Sequence, residues 1–225
     1  AASNSFMNEL DHAIERIKAL TSVPHTEDIE GTDAAINGII SKLESQREQS
    51  LSISEISRLI AEAEQALMDF LSNATPKSAA QPFDLTYMVA NAAIDDATGW
   101  SASPTLSYSC MEYYQATFDF NQTIKGLPAG TYQVRVQAFQ RPGTSTNAYN
   151  AYVSGNANVT THLYANTASE KIRHIASEAQ TTKLGGEESA VGTSTTMYMP
   201  NNMHAASIYF GKGLYDNTVT TELKT

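Results

Sequence analysis

The stretch that most constrains this chain runs from Thr117 to Gly143, TFDFNQTIKGLPAGTYQVRVQAFQRPG. It reads as two β-strands, Gln115–Ile124 and Thr131–Gln140, joined by the turn Leu127-Pro128-Ala129-Gly130. Tyr132, Val134, Val136 and Ala138 alternate with Gln133, Arg135 and Gln137. Period-two alternation puts one face in a core and the other in water. That is the pattern of an antiparallel sheet in a sandwich or barrel; a parallel sheet buried on both faces would read as a continuous apolar run.

Residues before 76 follow a different period. Phe6, Leu10, Ile14 and Ile17 recur every three or four positions, as do Ile36, Ile39, Ile40 and Leu43. A third run takes in Ile53, Ile56, Ile60, Ala63, Leu67, Phe70 and Leu71. Each run predicts an amphipathic helix with one apolar stripe. Val23-Pro24 ends the first run, Thr32 is placed to cap the second, and Ser52 with Glu55 has capping-box spacing for the third. Three stripes with short connections predict a three-helix bundle over 1–75. Residues 76–82 read as a linker and 83–225 as a β domain. Glu44, Glu48, Glu62 and Glu64 lie off the stripes, where a solvated helix surface accounts for them.

Composition divides at the same place. Of 24 acidic and 14 basic side chains, residues 1–80 hold 13 and 6, leaving 11 and 8 for the rest. Only Phe6 and Phe70, of 19 aromatic residues, precede residue 81. The net charge of −10 argues against a nucleic-acid partner, which needs a basic footprint. No stretch approaches the roughly 20 apolar residues of a membrane span. One cysteine, Cys110, excludes an internal disulfide and a Cys-rich metal site. No basic n-region precedes an apolar h-region, and Ala1-Ala2-Ser3 is compatible with a leader already removed.

From Phe83 onward, short strands separated by Gly and Pro signals predict an all-β sandwich or jelly roll. Besides the opening pair, the expected strands are Asp84–Ala90, Ser107–Glu112, Ala148–Ser154, Thr161–Ala165, Lys171–Ile175, Thr195–Met199, Ala205–Phe210 and Asn217–Leu223.

Five motifs then occur in order: Asp84-Leu-Thr-Tyr-Met-Val-Ala-Asn91, Gly99-Trp100-Ser101, Thr117-Phe-Asp-Phe-Asn-Gln122, Leu127-Pro-Ala-Gly-Thr-Tyr132 and Phe139-Gln-Arg141. Met199-Pro-Asn-Asn-Met-His-Ala-Ala206, Tyr209-Phe210 and Tyr215-Asp-Asn217 follow. The set resembles the galactose-binding-like jelly-roll modules of exported proteins from polysaccharide-degrading Gram-negative gut bacteria, in which a short helical region often precedes the module. The resemblance covers roughly residues 83–224. It implies a non-catalytic, carbohydrate-binding-like module, secreted or on the cell surface, with a glycan as partner; the alternatives are a structural or adhesion module that binds a protein partner, and an accessory domain of a larger glycoside hydrolase. Two departures stand out. Asn91-Ala-Ala-Ile94-Asp95 replaces the usual Asn-Pro-x-Phe-Glu, and such modules continue past Thr225 into a further strand. The chain then reads as a fragment whose open sheet edge invites a homodimer or strand swap.

Sugar binding needs flat apolar faces for the C–H side of a pyranose and planar polar groups for its hydroxyls. Trp100, Tyr108, Tyr113, Tyr114, Tyr149, Tyr152 and Tyr164 supply faces; Arg141, Asn147, Asn150, Asn201 and Asn202 supply donors and acceptors. The loop from Arg141 to Asn150 is the first-choice site, with Trp100, Tyr149, Tyr152 and Asn201 as partners. The alternatives are plain ones: Trp100 as a core anchor, Arg141 as a structural ion-pair arginine. In a strand, Tyr149 and Tyr152 would face opposite sides. Jelly rolls of this kind often carry a structural calcium, for which Asp84, Asp95 and Asp96 offer hard oxygens; no other cofactor is implied. His12, His25, His162, His174 and His204 lack metal-ligand spacing, and no nucleophile elbow or P-loop is present. Asp119 sits between Phe118 and Phe120 and reads as a wet-face residue, not a general acid.

Overall fold

The structure is a computed structural model and describes residues 2–92, 94, 96–107, 110–143, 145–177, 207–210 and 216–224. The chain divides into two compact units. One gathers Ala1–Thr86 with Lys125–Ala129; the other holds Tyr87–Ile124 and Gly130–Lys224.

The helical unit carries α1 (Ala2–Thr21), α2 (Thr32–Arg47) and α3 (Ile53–Ser72). The three helices pack pairwise on one core. Leu10, Ile17, Leu43, Ile56, Leu59 and Phe70 are its fully enclosed side chains. Burying each is worth about 1.5–3 kcal/mol. The stripe of α3 runs through Ile56, Leu59, Ala63, Leu67 and Phe70, while Ile53 at the first turn stays exposed. Ser52 and Glu55 form the expected capping box: the Glu55 amide donates to Ser52 Oγ at 3.3 Å, and the Ser52 amide donates to Glu55 Oε2 at 2.7 Å.

Thr32 does not cap α2. It is the first helical residue, and its hydroxyl donates back to the Ile29 carbonyl at 2.7 Å. The cap position belongs to Gly31, whose φ of +89° suits a residue without Cβ. The free amides of that first turn are met from outside the helix. Glu27 accepts from the Gly31 amide at 2.9 Å and from the Asp33 amide at 3.3 Å. Glu27 is placed by a ribbon the sequence did not announce, in which β1 (His25–Glu27) pairs antiparallel with β2 (Ala74–Pro76). Beyond it, Phe83 and Leu85 pack against the helical core.

The second unit contains β3 (Thr105–Ser107), β4 (Cys110–Tyr114), β5 (Gly130–Arg141), α4 (Ser145–Val153), β6 (His162–Ala165), β7 (Ala168–Lys171), β8 (Arg173–His174), β9 (Ser207–Phe210) and β10 (Asp216–Leu223). The sheet order is β10-β5-β9-β4-β3; β8 adds to β5 in parallel, and β6 and β7 form a separate hairpin. A helical unit followed by a largely antiparallel sheet unit is therefore observed. No closed barrel forms among the described residues.

Five expected strands are corrected. Ser107–Glu112 takes in the end of β3 and the start of β4, which pair antiparallel, and Lys171–Ile175 takes in the end of β7, β8 and the start of a 3-10 turn. Asp84–Ala90 holds a 3-10 turn at Thr86–Met88. Gln115–Ile124 is not in any sheet, so the opening hairpin does not form. Phe118 and Phe120 are half-buried and Asp119 exposed, as alternation predicts, but aromatic stacking and not a strand ladder holds them. Ala148–Ser154 is the body of α4. The expected strand Thr195–Met199 lies outside the described residues.

Strand β5 forms as predicted and organises the unit. Val136 and Ala138 face a small core with Val159, Leu163 and Ile172. The opposite face was expected to be wet and is so at Gln133 and Arg135, but Phe139 and Arg141 are each only 3% exposed. Both faces of that end are covered. β10 pairs with β5 from Gly130 to Gln137, and β8 takes over at Phe139. Asn217 bridges the change of partner. Its side-chain amide donates to the Val136 and Ala138 carbonyls at 3.2 and 2.8 Å, and its Oδ1 accepts from the Arg173 amide at 2.7 Å. Buried polar side chains earn their place in this way, by satisfying backbone groups that a ladder would otherwise leave open.

Candidate functional site

The first-choice segment is not a loop: Arg141 ends β5, and the residues from 145 on form α4. Arg141 is the last residue of β5 and lies on the same enclosed face as Phe139, so its guanidinium is not presented to solvent. Asn147, Tyr149, Asn150 and Tyr152 all fall on α4. Asn147 and Asn150 are exposed and Tyr149 is half-buried. In a helix, residues three apart share a face, so Tyr149 and Tyr152 do not diverge as they would in a strand. Tyr152 is 39% exposed, and its ring stacks on His174 at 5.1 Å and 17°.

Trp100 is an anchor. Its ring stacks on Phe120 at 4.3 Å and 13°, and its indole N–H donates to the Asn91 carbonyl at 3.3 Å. Gly99 before it has φ +82°, and a Cβ there would sit 2.5 Å from Ala90 Cβ, so the approach to Trp100 requires glycine. Tyr113 joins the cluster, stacked on Phe118 at 4.0 Å and edge-on to Phe120 at 6.0 Å.

Of the proposed calcium ligands, Asp84 accepts from the Thr86 amide at 2.9 Å, and Asp96 accepts from the Thr98 amide at 2.7 Å and from Asn91 Nδ2 at 2.8 Å. Hydrogen bonds from the Thr86 hydroxyl and amide hold the Asp84 carboxyl below the usual carboxylate range, and those from the Thr98 amide and hydroxyl do the same for Asp96. Each spends an oxygen on its own turn. Among the described residues, no group of three or more His, Cys, Asp or Glu is placed to hold a metal ion. Asp95 and Asn201 lie outside the described residues.

What the fold does bring together is Tyr164 and Asp119, 45 positions apart. Tyr164 is 45% exposed on β6, and its hydroxyl donates to Asp119 Oδ1 at 2.7 Å. Hydrogen bonds from Asn121 and from Tyr164 hold the Asp119 carboxyl below its ordinary value; in turn Asp119 pushes the Tyr164 phenol up. The Asp119 segment is tied down by Ser101, which donates to the Asp119 carbonyl at 3.2 Å and accepts from the Asn121 amide at 3.0 Å. An ionised carboxylate, an amide and a fixed aromatic ring thus share one exposed patch.

A groove opens on the same hairpin. Tyr164 is the register partner of Ser169, and His162 of Lys171, so these four share the outward face of the hairpin. Ser169, Glu170, Lys171 and Arg173 form one wall of an open groove of about 580 Å³; Asn217, Thr218, Val219 and Thr220 of β10 form the other. That volume lies in the range of small-molecule sites. Sequence reading named Tyr164 among the aromatic faces and Asp119 as a wet residue, but no local signal joins them. The groove was not foreseen.

No family model matches this chain, and no curated protein or solved structure matches it either. Among the described residues no helix is long and apolar enough to cross a membrane.

Proposed function

We propose that the sheet unit is a non-catalytic carbohydrate-binding module, of galactose-binding-like jelly-roll type, in a secreted or cell-surface protein. The observation that carries this reading is the Tyr164–Asp119 pair: an exposed ring held in one orientation by a 2.7 Å hydrogen bond, beside an ionised carboxylate and Asn121. An exposed aromatic face stacks on the C–H face of a pyranose, and the planar polar groups meet its hydroxyls. Pre-orientation lowers the entropy that binding must spend. The sandwich form is supported by the second layer over β5, where Leu163, Val159 and Ile172 cover Val136 and Ala138.

A protein-binding module is the second reading. Its support is the outer edge of β10, which ends the sheet order and pairs with no strand among the described residues.

A broad glycan array followed by titration of the hits tests the proposal. Wild type is expected to bind at least one neutral or acidic glycan, and Tyr164→Ala to weaken it at least tenfold with unchanged circular dichroism. A blank array, or undiminished binding by Tyr164→Ala, overturns it.

A further inference from the structure

We infer that the groove between β7 and β10 selects a sugar bearing an anionic group, a carboxylate or a sulfate, with Lys171 as the cation that meets it. This rests on the glycan-binding reading and adds the class of sugar to it. Four basic side chains of the helical unit are spent on ion pairs: Lys18 with Glu44, Lys42 with Glu62, Arg47 with Asp11 and Arg58 with Glu62. Lys171 differs. It is exposed, lines the groove, and makes no ion pair or hydrogen bond among the described residues. Glu170 lines the same wall but makes no ion pair with Lys171.

The rest of the lining suits a sugar. The hydroxyls of Ser169, Thr218 and Thr220 line the groove and make no hydrogen bond among the described residues, which leaves them open to ring hydroxyls. Tyr164 stands on the same hairpin face as Lys171, two residues along and across from Ser169. A pyranose stacked on Tyr164 shares that hairpin face with Lys171, which carries a long flexible ammonium side chain. Of the net charge of −10, residues 1–80 carry −7 and residues 81–225 carry −3.

Three oligosaccharides of equal length test the inference by calorimetric titration of the full chain: neutral galactose, galacturonate and sulfated galactose. At least one anionic sugar should bind on the order of tenfold tighter than the neutral one, the worth of one charge-assisted hydrogen bond. Lys171→Gln should remove that preference, and raising salt should erode it; the two anionic arms tell carboxylate from sulfate. Equal affinity for all three, or a preference that survives Lys171→Gln, overturns the inference while the glycan-binding reading stands. Binding of none of the three overturns the inference, and a blank glycan array overturns the reading it rests on.

Discussion

The two units hold a histidine each in opposite states. His25, between α1 and α2, sets Nδ1 2.6 Å from the Val23 carbonyl and Nε2 2.7 Å from Asp33 Oδ1. Both partners can only accept, so both ring nitrogens donate and the ring is an imidazolium. Burial works to lower its pKa, but the Asp33 hydrogen bond, the Val23 carbonyl and the charges of Asp33 and Glu27 raise it on balance. Phe70 and Phe83 pack around the ring at 5.0 and 6.1 Å. His174, in the sheet unit, is 4% exposed, and its Nδ1 accepts from the Ala176 amide at 3.0 Å. A nitrogen that accepts carries no proton, so the ring is neutral, and burial holds its pKa down. Around these two rings the helical unit sets acidic partners and the sheet unit an aromatic one, Tyr152, while the sheet unit also encloses Glu112 and Arg141. The uneven distribution of acids and aromatics along the chain is the same contrast at the level of composition.

The sharpest way to break the helical side is Phe70→Ala, which empties a fully enclosed site beside His25. It should cost about 3–5 kcal/mol, read as a lower denaturant midpoint at 222 nm; a loss under about 1 kcal/mol would mean the core is not organised around this ring. On the sheet side, Asn217→Ala leaves the bridge between β10 and β8 open. It should cost about 1–3 kcal/mol and speed hydrogen exchange at the Arg173 amide. Unchanged exchange there would remove Asn217 from its bridging role.

The histidines themselves sharpen the comparison. A raised folded pKa gives stability that is complete below the unfolded value of 6.5 and lost as pH rises through the folded value; a lowered one removes stability as pH falls below 6.5. His25 should therefore titrate above 6.5 and His174 below it, as followed by imidazole proton shifts. Titration of both on the same side would erase the contrast. The smallest effect is local: Ser52→Ala should cost about 1 kcal/mol by removing the α3 cap, detected as a small shift of the same helical transition.

The helices were legible because each carries a 3.6-residue stripe over many turns and, in α3, a capping box made by two residues three apart. The Glu27 cap of α2 was not, since it depends on a three-residue ribbon between His25 and Pro76 that carries no period. β5 was legible from seven residues of alternation, Tyr132 to Ala138. Residues 115–124 alternate equally well, yet stacking of Phe118 on Tyr113 and of Phe120 on Trp100 replaces a ladder; periodicity reports burial, not pairing. Ala148–Ser154 has strand-like composition, but Ala148 and Tyr152 stand four apart, a helical spacing that short Tyr- and Ala-rich segments disguise. The candidate patch escaped for a topological reason. Tyr164 and Asp119 each read correctly as an exposed ring and an exposed acid, and only the fold brings them to 2.7 Å.

The most direct test of glycan binding by the sheet unit is a heteronuclear spectrum of the full chain with labelled tyrosine rings, titrated with the strongest array hit. The Tyr164 ring signals should shift in a saturable way while those of Tyr149 and Tyr152 on α4 stay in place. Shifts confined to the α4 tyrosines, or none at all, would contradict the placement of the site at Tyr164 and Asp119.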